Sequence, residues 1–315
     1  MFKNKFAVDG KLVVIAGGSR GLGKAIALEL ASKGANLLIL ARNEASLQTT
    51  QRDVEAACRS SKQIIDARVV DLTKPCQINR ALSNYHPPDI LICTAGGTPN
   101  QVGFLADISP EAITSCLESN YYTTIFIVQY YLKVWLVTPQ SSTRHILLTS
   151  STAAFLGLPG YVAYTPTKVA IRSLADTLRS ELLLYGADAY KVHCSFPGTF
   201  LSESLLQEQE VKPGLLKELE GTDMPVDELK KNKPSARAVA KKIIRGVELG
   251  KTYIPVDFQT ELLLNNMRGP SPRFWILWDF FLGIMASLVW WVFRVDFDRK
   301  TRRFGEVRGA RDNRV

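Results

Sequence analysis

A serine, a tyrosine thirteen positions after it and a lysine four positions further on stand within Ser151–Lys168 (STAAFLGLPGYVAYTPTK). A phenol titrates near ~10, so by itself it is a poor proton donor or acceptor at neutral pH. A lysine ammonium within a few ångströms favours the phenolate and lowers that pKa. If Tyr164 opens a helix, Lys168 lies one turn on, on the same face, and Pro166 is tolerated in a first turn. Ser151, at the end of the apolar strand His145–Leu148 (HILL), would then set a hydroxyl beside the phenol. Such a trio can bind a carbonyl oxygen and protonate it. A lone Y-x-x-x-K arises often by chance; the serine at the expected offset strengthens the pattern, and what precedes it decides.

What precedes it is a strand–turn–helix. The apolar run Lys11–Ala16 ends in Gly17-Gly18-Ser19-Arg20-Gly21-Leu22-Gly23, a helical pattern with Ile26, Leu28 and Leu30 stops at Gly34, and a second apolar strand covers Asn36–Leu40. That is a βαβ unit of the expected ~30 residues. Glycines at 17, 21 and 23 permit a tight turn and let the backbone approach a pyrophosphate at the helix N-terminus. After the second strand comes Ala41-Arg42-Asn43, with no carboxylate until Glu44. Proteins selecting NAD usually place an acid there, whereas Arg42 and Arg20 favour a 2′-phosphate and hence NADPH. The plainer alternative is two surface arginines.

Further βα units follow. Arg68–Val70 leads to Asp71-Leu72, Ile90–Cys93 to Thr94-Ala95-Gly96-Gly97, His145–Ser150 into the Ser151 stretch, and Lys191–Ser195 to Phe196-Pro197-Gly198-Thr199. Helices are expected over Thr123–Val137 and Tyr164–Tyr185. Alternating strands and helices predict an α/β fold: a Rossmann-type, doubly wound parallel sheet in a single domain.

Composition is that of a globular protein, with 46% hydrophobic and 22% charged residues. Five widely spaced cysteines without a C-x-x-C pair suit free thiols in a reducing compartment, and three histidines argue against a metal site. The N-terminus has neither the length nor the apolar content of a signal peptide. The net charge of +9 is concentrated in Lys230–Arg245 and in Arg294–Val315. The second run follows an apolar segment, so a membrane surface explains it better than nucleic acid.

From about Lys11 to Thr199 the motifs together resemble the short-chain dehydrogenase/reductase family. The match covers Gly17/Gly21/Gly23, Asp71, Ala95-Gly96, Asn120, Ser151, Tyr164, Lys168 and Pro197-Gly198-Thr199. The resemblance implies that Ser151, Tyr164 and Lys168 are catalytic and that Asn120 holds a water linking Lys168 to solvent. On the residues alone, a helical asparagine is more often a surface or capping group. The resemblance also implies coenzyme contacts from Ser19 in the glycine turn, from Asp71 and Leu72 near the adenine, from Gly96, from Tyr164 and Lys168 at the nicotinamide ribose, and from Pro197 and Thr199 at the nicotinamide. A homodimer or homotetramer pairing through the helices after Asn120 and Tyr164 is the family's default. Two departures, Ala16 before the first glycine and Cys93-Thr94 in place of paired asparagines, bear on backbone support around the coenzyme.

The reductase domain is expected over residues 1–256, with a lid over 200–234, a linker over 257–273, a membrane anchor over 274–293 and a basic tail over 294–315. Leucines 201, 205, 206, 215, 216 and 219 make the lid suit a greasy substrate, or else pack on its own core. Phe274–Phe293 carries a single charge, Asp279, and tryptophans near both ends, enough to match a ~30 Å hydrocarbon layer. With the catalytic domain in the cytosol, a monotopic or hairpin anchor is favoured over a span. Within the family, GGSRGLGKAIALELASKGANLLILARN and TELLLNNMRGPSPR (Thr260–Arg273) are most similar to the branch that reduces a long-chain sphingoid ketone in sphingolipid synthesis. That similarity implies an enzyme of the endoplasmic reticulum membrane, catalytic domain facing the cytosol, in contact with membrane lipid and not with nucleic acid. The alternatives are a membrane-bound steroid or retinoid dehydrogenase and a non-catalytic membrane scaffold.

Overall fold

The apolar runs ending at Ala16, Ala41, Cys93, Thr149 and Phe196 become strands buried on both faces, as a parallel sheet covered by helices requires. A computed structural model describes residues 4, 6–98, 101–139, 142–186 and 188–312. The order begins β1 (Leu12–Ala16), α1 (Gly21–Ala31), β2 (Asn36–Ala41), α2 (Glu44–Ala56), β3 (Ile65–Val69), α3 (Pro75–Leu82), β4 (Ile90–Cys93), α4 (Pro110–Leu117), α5 (Thr123–Val137) and β5 (Arg144–Thr149). It continues with α6 (Tyr164–Glu181), β6 (Tyr190–Phe196), α7 (Glu203–Val211), α8 (Gly214–Glu220), α9 (Val226–Asn232), α10 (Ala236–Glu248), β7 (Tyr253–Pro255), α11 (Phe258–Met267) and α12 (Ile276–Asp312).

The sheet is seven-stranded in the order β3-β2-β1-β4-β5-β6-β7, every neighbouring pair parallel. Side chains alternate across it. Val13 and Ile15 pack with α1 and α10, while Val14 and Ala16 face Ile127 and Tyr131 of α5 and Ile171 of α6. The strand order reverses between β1 and β4, which opens a crevice at their carboxyl ends. The glycine turn and Thr94–Gly97 both lie there.

Two sequence expectations shift. The third strand runs over 65–69 rather than 68–70, paired as Leu37↔Ile65 through Ala41↔Val69; it is a half-exposed edge strand, so its apolar signal is weak. Residues 257–273 are not a linker. Asp257 caps α11, its carboxylate accepting from the Thr260 amide at 2.7 Å, and Leu262, Leu263 and Leu264 are buried.

The expected anchor and basic tail form one continuous helix, α12. No proline follows Pro272 to break it, and its 37 residues extend ~55 Å. Residues 313–315 of the tail lie outside those described. One side of α12 lies along the domain. Asp279 is ion-paired with Arg268 in a buried contact, Leu282 and Ala286 pack on Leu262, Trp290 meets the main core, and the Phe304 ring sits 6.0 Å from Phe104. The other side exposes Leu277, Phe280, Phe281, Ile284, Leu288 and Trp291, an apolar stripe at helical spacing.

Candidate active site

The crevice holds a cleft of about 840 Å³. Gly17, with φ at +88°, shows why this turn needs glycine: a Cβ there would lie 2.4 Å from the Ala95 amide nitrogen. At Gly23 a Cβ would fall 2.2 Å from the Gly17 carbonyl oxygen. The turn is therefore packed against the loop after β4 while its outer side, with Ser19, Arg20 and Gly21, lines the cleft. Thr94 supplies backbone support here, its hydroxyl donating toward the Ala16 and Gly17 carbonyls at 3.1 and 3.2 Å.

Arg42 and Leu72 also line the cleft. Asp71 stands behind them and is not among the lining residues. Burial works to raise its pKa, but bonds from the Thr73 amide and hydroxyl, with the charges of Arg42 and Lys74, outweigh that and hold the carboxyl below its ordinary value. A buried asparagine replaces the surface group that residue type alone suggests. Asn120 lies in a π-helical turn between α4 and α5, where the wider backbone turns the side chain inward. Its Oδ1 accepts from the Gly97 amide at 2.9 Å, and its Nδ2 donates to the Gly97 carbonyl at 2.9 Å and the Cys116 carbonyl at 3.0 Å. Asn120 thus braces the Gly96–Gly97 turn, and Gly96 lines the cleft.

Ser151, Tyr164 and Lys168 come together on the opposite wall, with Pro197 and Thr199 beside them. Ser151 caps a short 3₁₀ turn: its hydroxyl accepts from the Ala153 amide at 3.2 Å and donates to the Pro197 carbonyl at 3.3 Å. Tyr164 opens α6, and the Lys168 Nζ lies 5.4 Å from its ring centre. The Lys168 ammonium donates to the Thr149 carbonyl at 3.3 Å, and burial draws its pKa down to about 8.

The phenol departs from expectation. Burial pushes the Tyr164 pKa up; the Ser151 hydrogen bond pulls it down; the carboxylates of Glu208 and Glu220 and the Cys116 thiol add to the rise. Desolvation is the largest of these effects, and the two carboxylates act in the same direction. The group is therefore protonated at neutral pH, the form that a proton donor to a nascent alkoxide must start in.

Sequence reasoning did not find the other polar residues of the cleft. Glu208, Glu220, Tyr161 and Thr98 line it, as do Asp257 and Thr260 at the start of α11. The Glu208–Lys212 pair has i,i+4 spacing, but so do many ordinary surface pairs, and only the folded lid turns it inward. Of the lid leucines, Leu215 and Leu216 are buried and Leu205 and Leu219 line the cleft, so they divide between the core and the cleft wall.

Comparison with known proteins agrees with this geometry. The short chain dehydrogenase family profile matches residues 11–210. The chain is 33% identical over 332 residues to the 3-ketodihydrosphingosine reductase of Aspergillus fumigatus, covering 98% of this chain and 88% of that one. It is 33% identical over 303 residues to that of Neurospora crassa, covering 91% and 80%. Among solved structures, levodione reductase superposes with a TM-score of 0.67 at 17% identity, over 80% of this chain and 98% of that one. L-sorbose reductase from Gluconobacter frateurii, complexed with NADPH and L-sorbose, gives 0.65 at 20% identity, over 80% and 96%. The chain belongs to the short-chain dehydrogenase family.

Proposed function

We propose that the protein reduces 3-ketodihydrosphingosine to dihydrosphingosine with NADPH. The observation that carries this reading is the Ser151–Tyr164–Lys168 wall, with a protonated phenol, facing a glycine cradle flanked by Arg20 and Arg42. The relatives' shared name supplies the substrate.

The coenzyme fits the residues present. A Cβ at Gly17 would strike the Ala95 backbone and push the turn off the loop after β4, and the two exposed guanidiniums of Arg20 and Arg42 in the cleft wall suit charge-assisted bonds to a 2′-phosphate. When bound, NADPH supplies the hydride. The Tyr164 hydroxyl donates its proton to the carbonyl oxygen as negative charge builds there. The Ser151 hydroxyl, turning its hydrogen away from the Pro197 carbonyl, donates a second hydrogen bond to that oxygen and stabilises the transition state more than the ground state. Lys168 contributes positive charge behind the phenol and, on family resemblance, holds the nicotinamide ribose. Asn120 keeps the Gly96–Gly97 turn in place.

Membrane association is part of the same reading. The exposed stripe on α12 suits the acyl boundary of a bilayer, in keeping with a monotopic anchor in the endoplasmic reticulum and a cytosolic catalytic domain. Contacts beyond the apolar segment support that topology: Phe297 lines the cleft, and Lys300 lies 3.8 Å from Glu218 of the lid. A helix that crossed the bilayer would carry these residues to the far side. A long-chain ketone held in the same leaflet would then reach the cleft past Phe297. Pairing of copies through α5 and α6 follows from the family resemblance.

The test is NADPH oxidation by the purified protein in detergent with 3-ketodihydrosphingosine, beside NADH and a steroid ketone. Turnover with the sphingoid ketone and NADPH is expected, and Tyr164→Phe should lower kcat by ~10²–10⁴ while retaining NADPH binding. Turnover of the steroid alone would replace the substrate. Silence with every ketone would mean a scaffold.

A further inference from the structure

A cluster of charge in the lid reaches the catalytic tyrosine and plays no part in the mechanism above. Glu208 is 7% exposed, the Lys212 side chain is fully buried and that of Glu220 is 14% exposed. The Lys212 ammonium lies 2.6 Å from Glu208 and also contacts Glu220. Tyr161 donates to Glu208 at 2.6 Å, Thr199 donates to Glu220 at 2.7 Å, and Thr98 donates to Glu208. The Tyr161 ring stands 5.4 Å from the Tyr164 ring.

Two features of this cluster point to a cationic ligand. First, two carboxylates converge on one ammonium, that of Lys212, in a site largely removed from water, while the further ammonium in the cleft wall, Lys233, stands near Gly221 and pairs with neither acid among the described residues. A buried ion pair held only for stability would be balanced, because a surplus buried charge is costly. Second, the site already holds an ammonium, that of Lys212, with Tyr161 facing it at 5.5 Å from the ring centre. The carboxylate oxygens keep acceptor sites beyond those in use, and both acids line the cleft.

The substrate's chemistry meets this arrangement. In a 2-amino-3-ketone the amine sits on the carbon next to the carbonyl. Once Tyr164 and Ser151 hold the carbonyl oxygen, the ammonium must lie within a few ångströms of it, and Glu208 is the carboxylate held by Tyr161, whose ring stands beside that of Tyr164. We propose that Glu208 and Glu220 form a subsite for the ammonium of the amino ketone, so that the lid selects α-amino ketones over neutral long-chain ketones. Tyr161 orients Glu208 and offers its ring face to the cation. The inference rests on the amino-ketone reading and goes beyond it by naming what recognises the amine.

The experiment compares KM for 3-ketodihydrosphingosine with KM for the same-length 1-hydroxy-3-ketone lacking the amine, in the full-length protein and in Glu220→Gln. The wild type is expected to bind the amino ketone about tenfold better or more. Glu220→Gln is expected to raise KM for the amino ketone by a roughly tenfold larger factor than for the neutral one. Equal rises for both substrates, or no rise for either, would overturn the subsite. If the variant loses NADPH binding, the wild type alone decides: octadecylamine should inhibit at least about tenfold more strongly than octadecanol, and equal inhibition would overturn the proposal. Failure of the parent reading looks different. A wild type that reduces neutral or steroid ketones but not the amino ketone removes both, whereas equal KM values for amino and neutral ketones keep the reaction and remove the subsite.

Discussion

Acid should weaken this fold through a single pair of histidines. His145 on β5 and His193 on β6 are 8% and 3% exposed, with rings stacked at 5.3 Å between centres. The His193 Nδ1 lies 2.7 Å from the Lys251 carbonyl, which can only accept, so that nitrogen carries hydrogen. The His193 Nε2 must then accept from the His145 Nδ1 at 3.0 Å. Protonating His193 would set two N–H groups against each other. Burial pulls His145 down to about 3, helped by His193 and Lys191. Burial likewise pulls His193 down to about 4, against its bond to the Lys251 carbonyl. Unfolded, both return to ~6.5. A depressed folded pKa gives stability that is full above the unfolded value and is lost as pH falls toward the folded one. Between about pH 7.5 and about pH 5.5 the unfolded chain takes up nearly two protons that the fold refuses, about 1.4 kcal/mol for each histidine and ~3 kcal/mol together. With a urea m-value of ~3 kcal/mol per molar, the midpoint should fall by ~1 M. The assay is urea unfolding of the wild type and of a His145→Asn/His193→Gln double variant at both pH values. His86 is exposed and is retained as an internal control. The variant should lose most of the wild type's pH dependence. If it keeps all of it, the pair is not the source and the argument from burial and tautomer fails.

Other outcomes follow from the coenzyme wall. Gly17→Ala should cost about 1–3 kcal/mol of backbone strain at φ +88° and abolish NADPH binding, read by fluorescence titration; tight binding by the variant would refute the cradle. Arg42→Ala should raise KM for NADPH by roughly ten- to a hundredfold, as loss of a charge-assisted bond of about 1.5–3 kcal/mol implies, and leave KM for NADH nearly unchanged. Equal effects on the two coenzymes would remove Arg42 from the 2′-phosphate. Because Lys168 is drawn down to about 8, its positive charge is present below that pH and lost above it. Ketone reduction should therefore decline in kcat/KM as pH rises through about 8, and Lys168→Arg should move the decline upward; a wild-type profile flat well above that pH would refute the role.

Residues whose chemistry depends on spacing along one element were legible in the sequence. Tyr164 and Lys168 share a helical turn, and Gly17, Gly21 and Gly23 share a strand-to-helix turn, so local geometry alone brings each set together. The sheet was legible for a similar reason, since strands buried on both faces read as unbroken apolar runs; the half-exposed edge strand β3 was the one displaced. Asn120 was legible only by resemblance, because nothing in its neighbours announces the π-helical turn that buries it. Residues 257–273 were expected as a linker, whereas the capping bond from Asp257 and the burial of Leu262–Leu264 are tertiary facts.

The direction of the Tyr164 shift shows where sequence reasoning stops. Spacing said correctly that an ammonium lies near the phenol, and from that alone its pKa should fall. The sign is set instead by desolvation and by Glu208 and Glu220, more than forty residues downstream in the chain. Those carboxylates reach the phenol only because α7 and α8 fold back over the cleft, with Leu205, Leu215 and Leu216 buried beneath them. The segment over 200–234 thus adds to the shift of the acid it covers. In the unliganded enzyme burial raises the phenol's pKa and the two carboxylates add to that rise. An ammonium delivered with the substrate would offset part of their field, so that Tyr164 gives up its proton more readily when an amino ketone is bound than when the cleft is empty. Substrate recognition and proton donation are therefore coupled through one pair of side chains, which is why loss of Glu220 should alter discrimination between ketones and not simply the strength of binding.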